Sequence, residues 1–433
     1  MKAVQQRILA AELAATPIGS EVSLAGWMHR RRQLSGVSFL VLRDRSGLAQ
    51  VVVKDGGLRA AVAALGEESV VTVHGMLTAS PAAPGGLEVV GTRLAPITEP
   101  ALTPPVQLWR PSPQEGLPTR LDHAAVALRH PRSRASWQLA AASVHGFRTT
   151  LESAGFTEIA TPKLVGMATE SGANVFELDY FGRAAYLAQS PQLYKQMLVG
   201  VFERVFEVGP VFRAEPHDTV RHLAQYTSLD VEFGFIDYHH DVIAMFRAVL
   251  AGMLRSVRER AADAVELLGV DVPQVPEALP VIHFRDALRR VGAAEDEPDL
   301  EPAHERALGA WAKEEHGSDF LVVEGYPMAK RPFYTHPQPD DPRWSNSFDV
   351  LFRGLELSTG GQRLHRPADY RAALATNGQS AEAFSAYLEA FDHGMPPHGG
   401  FAIGLERWVA RLTGAANVRE VTLFPRDLHR ITP

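Results

Sequence analysis

The chain is 433 residues long, 45% hydrophobic and 21% charged, with a net charge of −7 and no cysteine. This length exceeds one ordinary core and points to two domains, and the lack of cysteine excludes disulfides, thiolate metal sites and a cysteine nucleophile. No apolar run reaches the roughly 20 residues of a membrane span, and the opening MKAVQQRILAAELAA reads as a short amphipathic helix, not a signal peptide, so a cytoplasmic protein is expected.

Residues 21–97 read as five short β-runs, VSLAGWMHRRR, VSFLVLRD, LAQVVVK, SVVTVHGMLTAS and GLEVVGTRLAPI, rich in Val, Leu and Phe and punctuated by Gly, Asp or Pro. A helical patch at LRAAVAALG lies between the third and fourth. The pattern suggests an OB-type barrel, which holds single-stranded nucleic acid by stacking bases on aromatics, although periodicity alone does not separate it from another small barrel. An acidic chain argues mildly against a nucleic-acid partner, but the charge is uneven. Of the 43 basic and 50 acidic residues, ten and eight fall within residues 1–103, leaving 33 and 42 beyond, so the first part is slightly basic.

The five prolines of TPPVQLWRPSPQEGLP, residues 103–118, mark a linker. Beyond it the pattern becomes α+β. Ala140, Val144, Phe147 and Leu151 recur at helical spacing within residues 134–154. FTEIATPKL then reads as a strand broken by Pro162, and ERVFEVGPVFRAE and YTSLDVEFGFI as antiparallel strands. Further helices are expected at 240–268, at 380–391 and from Glu406.

Six segments in order resemble the class II aminoacyl-tRNA synthetases, specifically the aspartyl enzymes: GFTEIATPKL (motif 1), QSPQLYKQ, VFEVGPVFRAEPHDTVRHLAQYTSLDVEF (motif 2), GLELSTGGQR, GGFAIGLERWVARL (motif 3) and FPRDLH. The chain leaves no room for the large inserted domain of bacterial-type aspartyl enzymes and so resembles the compact archaeal type. The implied fold is α+β: an N-terminal OB-type β-barrel over residues 1–103 that binds the anticodon, a hinge at 104–133, and a class II catalytic domain over 134–433 built on an antiparallel β-sheet flanked by helices. Motif 1 implies a homodimer.

The resemblance implies activation of L-aspartate with ATP, then transfer to the 3′ end of tRNA-Asp. A carboxylate is already a nucleophile, so positioning and charge neutralisation carry the first step. By resemblance, Arg213 bridges the α-phosphate and the reacting carboxylate, its planar fork suiting both. Glu215 contacts adenine or orients its loop, and Arg221, His222 and Leu223 belong to the motif 2 loop that reaches the outer phosphates. Tyr226 stacks on adenine, Arg407 takes the opposite face and the γ-phosphate, and Gly404, Leu405 and Glu406 let the backbone approach. Glu356 is the chief Mg²⁺ ligand, with Thr359 second, where relatives usually have serine. Lys195 and Arg363 pair with the β-carboxylate of aspartate, while Glu170, Gln192 and Asp230 hold its ammonium group and Glu170 lies in a lid-like loop.

At the other end, Phe39, Gln50 and Glu88 match the family's anticodon readers, with Arg30, Arg31 and Arg32 on a basic strand that meets phosphates. Discriminating relatives tend to carry Trp and Lys at two positions facing the third anticodon base, and relaxed ones His and Pro. This chain has His29 and Pro84, which implies a non-discriminating enzyme that also charges tRNA-Asn and an amidotransferase partner for Asp-tRNA-Asn. The alternatives are a discriminating enzyme, a tRNA-independent aspartate-adenylating ligase, an inactive paralogue, or an asparaginyl or lysyl enzyme. The first module argues against the tRNA-independent ligase, the retained Arg213, Glu356 and Arg407 against the inactive paralogue, and Lys195 with Arg363 against the other amino acids.

Overall fold

A computed structural model describes residues 7–167, 175–216 and 218–433. The chain divides into two compact units, Met1–Pro131 and Arg132–Pro433. No described helix is long and apolar enough to cross a membrane.

In the first unit, β1 (Glu21–Gln33), β2 (Ser38–Arg43), β3 (Leu48–Val53), β4 (Val70–Ala79) and β5 (Leu87–Pro96) close a barrel in the order β1-β2-β3-β5-β4, with α1 (Gly56–Ala64) between β3 and β4. Alternation along each strand sends Leu24, Met28, Leu40, Val51, Val73 and Val89 into the barrel core. Asp55 caps α1 by accepting from the Leu58 N–H at 2.9 Å. At the other end of α1 the Arg31 guanidinium donates through Nη1 to the carbonyls of Val62, Ala63 and Leu65, so it also serves the helix terminus. The expected N-terminal helix is, in its described part, a 3₁₀ turn over Ala10–Ala15 with Leu13 buried. Two short helices, α2 (Leu117–Asp122) and α3 (Ala124–Ala127), follow the proline-rich stretch.

The second unit opens with α4 (Pro131–Ser153), followed by β6 (Thr157–Glu158), β7 (Leu164–Val165), β8 (Glu177–Tyr180), β9 (Arg183–Leu187), α5 (Gln192–Phe202), β10 (Arg204–Phe212) and β11 (Gln225–Gly234). Next come α6 (His239–Arg260), α7 (Ala262–Leu268), β12 (Val281–His283), α8 (Phe284–Val291), α9 (Pro302–His316), β13 (Phe320–Glu324), β14 (Ser347–Phe352) and β15 (Glu356–Gln362). The unit ends with α10 (Pro367–Thr376), α11 (Ser385–Asp392), β16 (His398–Gly404) and α12 (Leu405–Thr413). Eight strands form one sheet in the order β12-β13-β14-β15-β16-β11-β10-β6; its outermost pairs are parallel and the interior is antiparallel. A separate three-stranded sheet joins β7, β9 and β8. The helix expected over 240–268 is interrupted at Ala261, whose φ of −132° and ψ of 29° leave the helical region.

One apolar core packs α4, α6 and α12 on the large sheet through residues such as Phe147, Phe246, Met253, Phe401 and Trp408. The helices α4 and α6 cross at Gly146 and Gly252, where a side chain on Gly146 would run into the Gly252 carbonyl, and the Ser256 hydroxyl donates across the crossing to the Ala142 carbonyl at 2.7 Å. That face of the sheet is sealed.

Candidate active site

The β10–β11 hairpin pairs in unbroken register, from Arg204 opposite Phe233 to Phe212 opposite Gln225, and the Arg213 N–H prolongs it by donating to the Ala224 carbonyl at 2.9 Å. Alternation along β11 sends Leu229, Val231 and Phe233 into the core and turns Tyr226, Ser228, Asp230 and Glu232 the other way. Around Tyr226, Ser228 and Asp230 lies a cleft of about 290 Å³, with Glu232 buried behind it. The β10–β11 connection supplies Arg213, Glu215, Arg221, His222 and Leu223 to it, α5 supplies Gln192 and Lys195, and β15 supplies Glu356 and Thr359. Arg363, Gly404, Glu406 and Arg407 complete the expected residues that line it. Glu170 lies outside the described residues. Leu405 is 3% exposed and belongs to the apolar core, so its side chain does not reach the cleft.

Four charged side chains are buried together. Lys195 Nζ lies 3.0 Å from Asp230 Oδ1 and 3.4 Å from Glu232 Oε2. Arg363 Nε donates to Glu232 Oε1 at 2.9 Å, and its Nη2 donates to Glu232 Oε2 at 3.3 Å and to the Gly400 carbonyl at 3.0 Å. Arg363 Nη1 makes no hydrogen bond among the described residues. Asp230 Oδ2 accepts from the Ser228 hydroxyl at 2.5 Å. Burial alone would raise the pKa of Glu232, but Arg363 and Lys195 outweigh it and hold the carboxylate below its ordinary range. Glu232 was not singled out in the sequence, although its place two residues beyond Asp230 on a strand puts it on the same face. Gln192 is 5% exposed and its Nε2 has no partner among the described residues, a buried donor left open toward the cleft.

A second group surrounds Glu356. Arg407 Nη1 donates to the Glu356 carbonyl at 3.1 Å and lies 3.7 Å from its carboxylate. Thr359 Oγ1 donates to Glu356 Oε1 at 3.4 Å. Behind them stands Asp349, opposite Thr359 in the β14–β15 register and paired with Arg331 at 3.2 Å. Burial and the like charge of Glu356 raise the Asp349 pKa to about 6, against the opposing pull of Arg331. Glu305 of α9 accepts the Glu356 N–H at 3.1 Å and lies 3.6 Å from Arg221 Nη1. Neither Asp349 nor Glu305 was anticipated; an acid inside the apolar run of WSNSFDVLF was the available signal for Asp349.

Arg213 lies 5.6 Å from the Tyr226 ring centroid and 3.8 Å from Glu215. A side chain placed on Gly404 would be in ordinary contact with that ring at 3.7 Å. His222 Nδ1 and the Thr219 hydroxyl are 2.6 Å apart. Glu406 accepts the Thr227 N–H through both oxygens at 3.1 and 3.0 Å, which fastens α12 to β11.

In the barrel unit, Phe39, Gln50 and Glu88 are half-buried on the adjacent strands β2, β3 and β5. Gln50 Nε2 donates to Glu88 Oε2 at 3.0 Å. The β1 register slips between Met28 and Arg30, and the exposed Arg30 guanidinium lies 3.6 Å from the Trp109 ring centroid. His29 sits in this bulge and is 4% exposed, so the structure buries a side chain that was expected to face a base. Pro84 opens an exposed turn between β4 and β5.

Residues 116–428 match the family described as tRNA synthetases class II (D, K and N), and residues 22–97 match the OB-fold nucleic acid binding domain. A protein of Thermus thermophilus named Aspartate--tRNA(Asp/Asn) ligase is 47% identical over 99% of this chain and 100% of its own length. One of the same name from Deinococcus radiodurans is 46% identical over 96% of each. The crystal structure of asparaginyl-tRNA synthetase from Pyrococcus horikoshii complexed with asparaginyl-adenylate superimposes with a TM-score of 0.92 at 29% identity, over 99% of this chain and 100% of that one. With a charged cleft on the open face of a mixed sheet and a family match over residues 116–428, this chain belongs to the class II tRNA synthetases of the D, K and N group.

Proposed function

We propose that this enzyme joins L-aspartate to ATP as aspartyl-adenylate and transfers the aspartyl group to the 3′ end of tRNA-Asp and of tRNA-Asn. The observation that carries the choice of aspartate is the buried cluster of Lys195, Arg363, Asp230 and Glu232. Glu232 occupies one edge of the Arg363 fork and leaves Nη1 for a ligand. A substrate β-carboxylate meeting Nη1 and Lys195 Nζ replaces water with two cations, whereas an asparagine amide would bring its own N–H donors against them. Losing the carboxylate's pairing with them costs about 2–5 kcal/mol, by analogy with broken buried pairs. Asp230 and Gln192, with Glu170, hold the ammonium group.

In the first step a lone pair of the aspartate α-carboxylate forms a bond to the ATP α-phosphorus, and the bond from that phosphorus to the bridging oxygen breaks and releases pyrophosphate. Arg213 holds the attacking and attacked groups together, and Arg407 and Arg221 neutralise the outer phosphates. Arg221 leaves Glu305 to do so. Tyr226 presents its ring to adenine beside Gly404. The donor set around Glu356 fits a hard divalent cation, since the Thr359 hydroxyl meets Glu356 and the carboxylate of Asp349, opposite Thr359 on β14, lies close enough to feel the like charge of Glu356. Mg²⁺ bound there with ATP would offset phosphate charge. In the second step the terminal ribose 3′-hydroxyl oxygen bonds to the adenylate carbonyl carbon, the bond from that carbon to the phosphate oxygen breaks, and AMP leaves while the hydroxyl proton passes to its phosphate or to solvent.

We extend the proposal to the rest of the chain. Residues 1–103 bind the anticodon, with Phe39 stacking and Gln50, Glu88 and Arg30 contacting the RNA, and residues 104–133 form the hinge to the catalytic domain at 134–433. The names of the Thermus and Deinococcus relatives support charging of both tRNAs more directly than the buried His29 and exposed Pro84 do. Such an enzyme works in the cytoplasm as a homodimer through motif 1, and needs an amidotransferase to turn Asp-tRNA-Asn into Asn-tRNA-Asn. ATP–pyrophosphate exchange with each amino acid, without tRNA, tests the substrate choice. Exchange with aspartate alone is expected, and exchange with asparagine or lysine would overturn it.

A further inference from the structure

Away from the cleft, the start of α6 and the end of β13 bring three ligating side chains to one point. His239 Nε2 lies 2.8 Å and His240 Nε2 2.9 Å from the same oxygen, Oε2 of Glu324, and the three ligand atoms lie within 4.8 Å of one another. None of the three lines the active-site cleft. We propose that His239, His240 and Glu324 form a binding site for a divalent transition-metal ion, of the Zn²⁺, Co²⁺ or Ni²⁺ class, that ties the first turn of α6 to the end of β13.

The geometry suits that class of ion. Ligands about 2.0–2.2 Å from a common metal stand roughly 3 Å apart, close to the two nitrogen–oxygen separations here. Two imidazoles with one carboxylate are a borderline donor set, which prefers such ions to Mg²⁺. The backbone on both sides is fixed independently of the trio. Glu324 is registered opposite His283 on β12 and Phe348 on β14, and Asp241 accepts the Asp237 N–H at 2.8 Å at the head of α6.

Plain hydrogen bonding leaves one polar atom unexplained: with Nε2–H donated to Glu324, His239 Nδ1 is buried without a partner among the described residues. A metal on Nε2 places the ring proton on Nδ1 instead, which makes that atom a donor in place of an acceptor. The His239 side chain is 1% exposed and that of His240 57%, so the site is anchored inside and open to water for its remaining positions.

The test is titration of the tag-free, chelator-stripped full chain with Zn²⁺ in excess Mg²⁺, read by calorimetry and by the melting temperature. One Zn²⁺ per chain with a raised melting temperature is expected. His240→Ala, at an exposed position that does not threaten folding, and Glu324→Gln should each weaken binding by at least tenfold. Aspartate-dependent exchange by the stripped enzyme and by His240→Ala should match the untreated wild type. Absence of stoichiometric binding, or equal affinity in wild type and both variants, would overturn the proposal and leave the trio as a hydrogen-bonded helix start.

Discussion

Replacing Lys195 by methionine keeps the length of the side chain and removes its charge, so it probes the electrostatics of the buried cluster without opening a cavity. At 3.0 Å from Asp230 and 3.4 Å from Glu232, the ammonium attracts each carboxylate by about 5 kcal/mol at an effective dielectric of about 20. Its own desolvation offsets most of this. The charge left unmatched is the larger effect: two buried carboxylates would then share Arg363 alone, which costs about 3–5 kcal/mol of stability. Urea denaturation should show a lower midpoint with an unchanged slope. At urea-free conditions where the variant is folded, aspartate-dependent exchange should fall roughly 30- to 5000-fold, the equivalent of about 2–5 kcal/mol for a β-carboxylate with one cation removed. ATP affinity should stay within about threefold, since the proposed function gives Lys195 to the amino acid and not to the nucleotide. A variant that is as stable as wild type, or that activates aspartate normally, would refute the reasoning.

Three further substitutions probe other parts of the site. Arg407→Ala removes the guanidinium beside Glu356 and should slow adenylate formation by about 100-fold or more in single-turnover assays, with little change in denaturation midpoint. Gly400→Ala drives a methyl group against the Val231 carbonyl and the Glu232 carboxylate, and should cost about 1–3 kcal/mol in denaturation experiments while weakening aspartate activation more than ATP binding. His398 is fully buried, and burial lowers its pKa from 6.5 to about 4. Above pH 6.5 the ring is neutral in both folded and unfolded chains; between 6.5 and 4 only the unfolded chain takes up the proton, so stability falls with acidity by up to about 3 kcal/mol, about 2 of them by pH 5. His398→Asn should lose that part of the acid sensitivity when unfolding free energies at pH 7 and pH 5 are compared.

Much of the cleft was legible because its residues come in contiguous segments whose local structure fixes their direction. Motif 2 is a hairpin, so Arg213 and Tyr226 must meet near its open end, and motif 3 is a strand entering a helix, which sets Arg407 beside the neighbouring strand. The barrel was legible from strand alternation. What escaped depends on burial and on distant pairing. Glu232 and Asp349 are acids within apolar strands, and only the partners Arg363, Lys195 and Arg331 explain how they remain buried. Glu305 comes from a helix with no motif of its own. His29 read as a surface residue because β1 is basic there, but the bulge after Met28 buries it, and Arg31 is drawn onto the nearby end of α1. The strands and helices from β12 to β14 carry no segment with a signature of its own.

Charging of separate tRNA-Asp and tRNA-Asn transcripts with labelled aspartate tests the central claim most directly. The account predicts that the purified chain aspartylates both at comparable rates in the presence of Mg²⁺ and ATP. Aspartylation of tRNA-Asp alone would contradict the relaxed reading, and aspartyl-adenylate formed without transfer to either tRNA would contradict the account of the enzyme itself.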